Sequence, residues 1–420
     1  IWQAVLTTSG ARVYGLLLGI VSLMLTARWL GPEGRGTLAA VTTWVGLFST
    51  FGYLSLGQVA IHRATQRQQE AWLGPVLGSL GFLAVIITIL GWGVAAILYF
   101  SSDGGVFGNI RSAVLFTGFI SLPFMVWEQY SSSILMALER LNIYNRYQII
   151  GSTLGLVALF VMLPALHWGV VGALLAAIIG QFIISIGGLR FLLERAGDTL
   201  SIRKDEIQSL LKGGIKLHLN AIGTVLFTSV DILMLNHYRG AQETGYYQLS
   251  VQLMGTMMIL PQAASMVLYG KVATLGPDVA WRHQKRLILQ IMGLMVLMSL
   301  VAYAFSPLLI NLVAGTAFTP SIRIFRWLLL GLIGMSFSTL LASQWIGRGY
   351  FWQASMLTLI VGLCNLGANA LLIPRYGMIG AVWAFLGTYT FAILANGLMA
   401  VHCSREARDV SKDYGVSHRI

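Results

Sequence analysis

Charge is what this sequence has least of. Only 10% of its 420 residues are charged, 56% are hydrophobic, and the mean hydropathy is +0.76. A soluble domain carries about 25% charged residues. A soluble fold is therefore excluded, and a polytopic membrane protein remains. Cysteine is almost absent. Cys364 sits in an apolar run and Cys403 in the tail, which gives neither a disulfide framework nor metal-ligand spacing. The histidines never approach ligand spacing either, so neither a metal nor another cofactor is expected. Long loops are missing too. No Ser-His-Asp or paired-carboxylate set is placed where water and substrate could meet, which argues against an enzyme. The net charge of +12 is not a nucleic-acid signature here, because Lys and Arg collect on the cytoplasmic side of membrane proteins.

What is abundant is long apolar sequence. A hydrocarbon core takes about 20 apolar residues per helix. Twelve such runs lie at 4–28, 37–61, 74–100, 112–137, 147–166, 169–193, 214–237, 244–270, 286–306, 322–346, 350–373 and 376–401. The first is long enough to span, unlike a cleavable signal. Gly-Pro-Glu-Gly, Ser-Ser-Asp-Gly-Gly, Gly-Pro-Asp and Pro-Arg-Tyr-Gly punctuate the breaks. Pro123 and Pro261 fall inside runs and predict kinks. Nineteen Lys or Arg lie after even-numbered runs or in the C-terminal tail, and only five (Arg28, Arg35, Arg111, Arg239, Arg375) after odd ones. That asymmetry predicts cytoplasmic termini in a cytoplasmic membrane.

The layout occurs twice. Gly31-Pro-Glu-Gly-Arg-Gly36 is echoed by Gly240-Ala-Gln-Glu-Thr-Gly245 at an offset of 209. Arg63 matches Lys271, Arg140 matches Arg348, and His167–Ala173 matches Arg375–Ala381, all at 208. Six helices separate equivalent points, so both halves insert alike. The expected fold is all-α, twelve transmembrane helices in two six-helix lobes related by a pseudo-twofold along the membrane normal. The expected division is 1–194 for the N-lobe, 195–213 for a cytoplasmic linker, 214–401 for the C-lobe and 402–420 for a tail. Within the linker, 201–212 is able to form a surface amphipathic helix. Repeats of this kind are common in secondary transporters, with the substrate between the halves.

Charges inside such helices mark function or packing. Arg12 shares a polar, small-residue stripe with Thr8, Gly15, Gly19, Ser22 and Thr26, and either faces a cavity or snorkels to the interface. Lys216, Asn220, Thr224, Phe227 and Asp231 share one face of the seventh run. Lys216 has the same two readings. Asp231 lies deeper and needs a cavity arginine, a proton or Na⁺ as partner. Glu128 lies on the fourth run with Ser121 and Ser132. Arg323 and Arg326, one turn apart at the start of the tenth, either clamp a phosphate or carboxylate or anchor the helix at the interface. Gly31–Gly36 lacks a preceding strand and a Lys-Ser/Thr, so it is a turn and not a phosphate loop.

Two stretches carry a family resemblance. Leu25-Thr-Ala-Arg-Trp-Leu-Gly-Pro-Glu-Gly-Arg-Gly-Thr-Leu38, with Leu56-Gly-Gln58 and His62-Arg63, resembles the first-helix motif of polysaccharide-export flippases. Asp231-Ile-Leu-Met-Leu235 and Glu243-Thr-Gly-Tyr-Tyr247 resemble that family's seventh- and eighth-helix signature. The family is the O-antigen type of oligosaccharide-lipid flippase, within the multidrug/oligosaccharidyl-lipid/polysaccharide exporter superfamily. The resemblance implies a polyprenyl-diphosphate-linked oligosaccharide as substrate, moved outward by alternating access through a basic central cavity. On that reading Arg12, Lys216, Asn220, Arg323 and Arg326 line the cavity, and Asp231 and Glu128 tune its charge or bind a coupling ion. Membrane lipids and other polysaccharide-assembly proteins are the expected partners, and a monomer the functional unit. A multidrug or cation antiporter of the same superfamily is the alternative, as is a lipid II-type flippase. The latter often carries helices beyond the twelfth, whereas this sequence stops there.

Overall fold

The computed structural model describes the backbone of residues 2–66 and 72–413. The side chains of 2–13, 62–66, 216, 217, 220, 282, 283 and 407–413 lie outside that description. The described chain is helical and contains no strand. It divides into two compact units, Ile1–Gly245 and Tyr246–Ile420.

The first unit begins with α1 (Trp2–Tyr53), which turns sharply at one residue, Gly31 (φ 64°, ψ −175°). Only glycine adopts that conformation readily. Pro32 then restarts the helix, at a position where its missing N–H has no partner to lose. The expected tight polar turn is thus a single residue between two helices. Next come α2 (Leu56–Gln66), α3 (Leu73–Ser101), α4 (Ser112–Phe119), α5 (Leu122–Ala137), α6 (Leu141–Phe160), α7 (Gly169–Ile186), α8 (Leu189–Ala196), α9 (Lys204–Thr228) and α10 (Val230–Arg239). Helix α11 (Ala241–Met257) leads into the second unit, followed by α12 (Ile259–Leu275), α13 (Pro277–Ala304), α14 (Ser306–Ala314), α15 (Pro320–Gly347), α16 (Phe351–Tyr376) and α17 (Met378–Asp413).

Among the described residues, eight helices are long and apolar enough to cross a membrane alone, and α11 with α12, bent by 41°, makes a ninth candidate. The chain is a multi-pass membrane protein. Several expected runs are broken helices. The second divides at Leu54-Ser55, both at positive φ, and the fourth divides between α4 and α5. The seventh divides at Ser229, between α9 and α10. The predicted kink of the eighth run is present as the 41° bend between α11 and α12, and at Pro123 the fourth run divides into two helices. Each proline falls in the first turn of a new helix, α5 or α12, where it costs no hydrogen bond. Helix α9 begins at Lys204, inside the stretch predicted as a surface helix, and runs unbroken to Thr228.

Candidate functional site

In the first unit the echoed glycine motifs meet. Gly31 and Gly240 are equivalent in the repeat, and both take the same glycine-only backbone shape, with Gly240 at φ 83° and ψ 177°. Each launches a helix: the second limb of α1, and α11. The two helix starts then pack backbone to backbone. A methyl on Gly36 would overlap the carbonyl oxygen of Ala241 and lie 2.7 Å from the Gly245 nitrogen. A methyl on Gly245 would overlap the carbonyl oxygen of Pro32 and lie 3.1 Å from the Gly36 nitrogen. Pro32 and Ala241 are themselves repeat equivalents, so the contact is reciprocal, as in a local twofold. The adjoining loop supports it. Asn236 Nδ2 donates to Phe107 O at 3.4 Å, and His237 Nδ1 donates to Gly105 O at 2.9 Å.

Arg35 lies within this contact. The sequence reading counted it as a loop charge, yet it is 7% exposed and donates to Thr26 Oγ1 at 2.6 Å. Thr26 ends the polar stripe of α1, so a buried guanidinium caps that stripe. Further along it, a Cβ on Gly15 or Gly19 would meet nothing within 4 Å, so this part of α1 borders open space. Arg12 is on α1 and Lys216 and Asn220 on α9, but the expectations for those three rest on side chains outside the described set. Toward the other end of the helices, Ser55 Oγ and His218 Nδ1 lie 3.1 Å apart, joining the break after α1 to α9.

The carboxylates differ from the expected picture. The break at Ser229 takes Asp231 out of the helical register of Lys216, Asn220 and Thr224, so the predicted five-residue face is not continuous. Asp231 is 7% exposed in the first turn of α10, and its Oδ1 accepts the backbone N–H of Ile232 at 2.8 Å. There it also meets the positive end of the helix dipole. Glu128, half-buried on α5, accepts hydrogen bonds from Tyr144 Oη at 2.7 Å and from Gln181 Nε2. Gln181 also lines a cavity of about 140 Å³ with Thr42 and Ser121. A carboxylate, an amide and three hydroxyls thus gather among α1, α5, α6 and α7.

The second unit holds Arg323 and Arg326 on α15. Arg326 is fixed: its Nε donates to Ser306 Oγ at 2.8 Å, and its guanidinium lies 4.7 Å from the Tyr303 ring centre. Arg323 is exposed one turn earlier, and both line a cavity of about 820 Å³. Just past the end of the same helix, Arg348 pairs with Asp278 at 2.7 Å and Glu406 at 2.6 Å, joining the end of α15 to α13 and α17. Partial burial pushes its guanidinium down, but Asp278 and the Cys403 sulfur outweigh that and hold it above the usual arginine range. Its repeat equivalent Arg140 is exposed, so the halves have diverged there. Among the described residues no group of three or more His, Cys, Asp or Glu could hold a metal ion.

The family model for polysaccharide biosynthesis proteins matches residues 1–269. A Shigella flexneri protein described as an O-antigen transporter is 24% identical over 410 residues, covering 92% of this chain and 95% of that protein. A lipid II flippase, MurJ, in an inward closed conformation superposes with a TM-score of 0.75 at 14% identity, over 99% of this chain and 94% of that one. An inward-facing MATE multidrug transporter of the MOP superfamily gives 0.74 at 15% identity, over 93% and 96%.

Proposed function

The chain belongs to the polysaccharide biosynthesis protein family, and on that premise we propose that it is a flippase for a lipid-linked oligosaccharide and not an enzyme. The substrate we propose is a polyprenyl diphosphate carrying a sugar head, moved from the cytoplasmic to the outer leaflet of the cytoplasmic membrane, with both termini cytoplasmic. The observation that carries this reading is Arg35, a buried arginine donating to Thr26 at the end of the polar stripe on α1. The buried guanidinium at the end of that stripe favours an anion near it through the low-dielectric interior. The physical task fits. Each sugar hydroxyl stripped of water without replacement costs several kcal/mol, about 2–7 on common reference scales. A wet, basic path removes most of that barrier while the lipid tail stays in the bilayer. Each negative charge leaving a negative interior gains about 2.3 kcal/mol per 100 mV.

Arg12, Lys216 and Asn220 are proposed as substrate contacts on the cytoplasmic side. The interlocked glycines then form the outer closure. Glu128 is proposed as the coupling-ion site, since its Tyr144 and Gln181 partners supply hydrogen bonds but no compensating charge. Asp231 is better read as holding the start of α10. A test in cells follows. Depleting the protein is expected to accumulate lipid-linked oligosaccharide in the inner leaflet, and Arg12→Ala is expected to reproduce that. Normal surface polysaccharide in the depleted cells would contradict the assignment.

A further inference from the structure

The cavity on the second unit brings Arg323 and Arg326 together with apolar walls. It lies between the C-terminal half of α13 and the N-terminal half of α15, beside the start of α17, and holds about 820 Å³. Small-molecule sites run from about 300 to 1,000 Å³. Its walls are divided by polarity. Leu300 and Leu330 line the apolar part and are 63% and 56% exposed on α13 and α15, both candidate membrane spans, so the groove is open along its apolar side. Arg323 and Arg326 line the same cavity. Arg326 is held by Ser306 and stacked on Tyr303 through its Nε and guanidinium face, which fixes the direction of its terminal nitrogens. Trp327, 43% exposed and next to Arg326, also lines it. Two guanidiniums above an apolar slot call for an amphiphile with an anionic phosphate head and a hydrocarbon chain. Tyr303 and Trp327 are the aromatic types that sit at headgroup depth.

We propose that this groove binds an anionic glycerophospholipid of the surrounding bilayer, with its phosphate on Arg323 and Arg326 and an acyl chain along Leu300 and Leu330. The bilayer's own phospholipid is chosen because the groove's open apolar side lies on two candidate membrane spans and that lipid is the abundant phosphate-headed amphiphile of a bilayer. The proposal rests on the membrane placement of the second unit and not on the flippase reading, so either can fail alone.

The test is native mass spectrometry of the purified protein, incubated with phosphatidylglycerol or phosphatidylcholine of identical chains. The expected result is a preference of about tenfold for phosphatidylglycerol: both lipids offer the phosphate, but the choline cation of phosphatidylcholine is repelled by the two guanidiniums. Arg323→Gln should reduce it and the R323Q/R326Q pair abolish it. Because Arg326 also bonds Ser306, Arg323→Gln alone keeps the test decisive if the pair proves unstable. Brominated phosphatidylglycerol in proteoliposomes supplies a positional readout: quenching should fall when Trp327→Phe removes the local indole. Equal binding of the two lipids, or a preference unchanged in Arg323→Gln, would overturn the proposal. So would capture of polyprenyl diphosphate with no affinity for phosphatidylglycerol.

Discussion

Replacing Gly36 by alanine adds one methyl at a place with no room for it. The added carbon would overlap the Ala241 carbonyl oxygen and lie 2.7 Å from the Gly245 nitrogen, and real Cβ atoms essentially never come within 3.0 Å of a neighbour. The three nearest atoms are all backbone, so no rotamer change relieves the clash. The two helix starts must separate by roughly 1 Å. Overpacking of this kind costs about 1–3 kcal/mol, which lowers the population of the closed contact about 5- to 150-fold. The expected outcome is a lower melting temperature in detergent and impaired transport. Gly245→Ala should behave alike, because the contact is reciprocal. Gly15→Ala and Gly19→Ala are the controls. Nothing lies within 4 Å of either position, so both should melt as the parent or slightly higher, since alanine favours a helix over glycine by about 1 kcal/mol. Parental stability and transport in Gly36→Ala would refute the reasoning.

Three further outcomes are expected. Arg348→Ala leaves Asp278 and Glu406 without their cation. Both are partly exposed, so the loss should be about 1–3 kcal/mol, below the 3–5 of a fully buried pair. The loss should appear as a lower melting temperature in detergent, and an unchanged one would count against it. Gln344→Leu removes the amide that donates to Gln284 Oε1 at 2.6 Å. Stranding that buried oxygen should cost about 1–3 kcal/mol in thermal unfolding, and an unchanged melting temperature would count against it. Glu128→Gln keeps an acceptor for Tyr144 and removes the charge. Transport driven by an imposed ion gradient should lose that dependence while the melting temperature holds. A dependence that survives would remove Glu128 from coupling.

The helical architecture was readable because hydropathy dominates in a bilayer, and the repeat was readable because glycine has no substitute at Gly31 or Gly240. The breaks were harder. Leu54 and Ser55 adopt positive φ without a glycine or proline to announce it, and Ser229 looks like any polar residue within a run. That hidden break changed Asp231 from a mid-helix carboxylate into one held at a helix start. Glu128 was visible as a buried charge. Tyr144 and Gln181 were not visible as its partners, because helix-to-helix pairing leaves no mark in local spacing. Arg35 was misread for a physical reason too: a charge four residues past a turn looks solvated until the turn proves to be a single residue long.

The central claim is that this chain moves a diphosphate-linked oligosaccharide across a bilayer. The most direct measurement uses proteoliposomes holding a labelled polyprenyl-diphosphate oligosaccharide, with exposure followed by an outside glycosidase or lectin. The account predicts that the protein speeds exposure over empty vesicles and that Arg12→Ala slows it. No transport of any diphosphate lipid, together with uptake of a cationic dye against a proton gradient, would contradict the account and favour an antiporter.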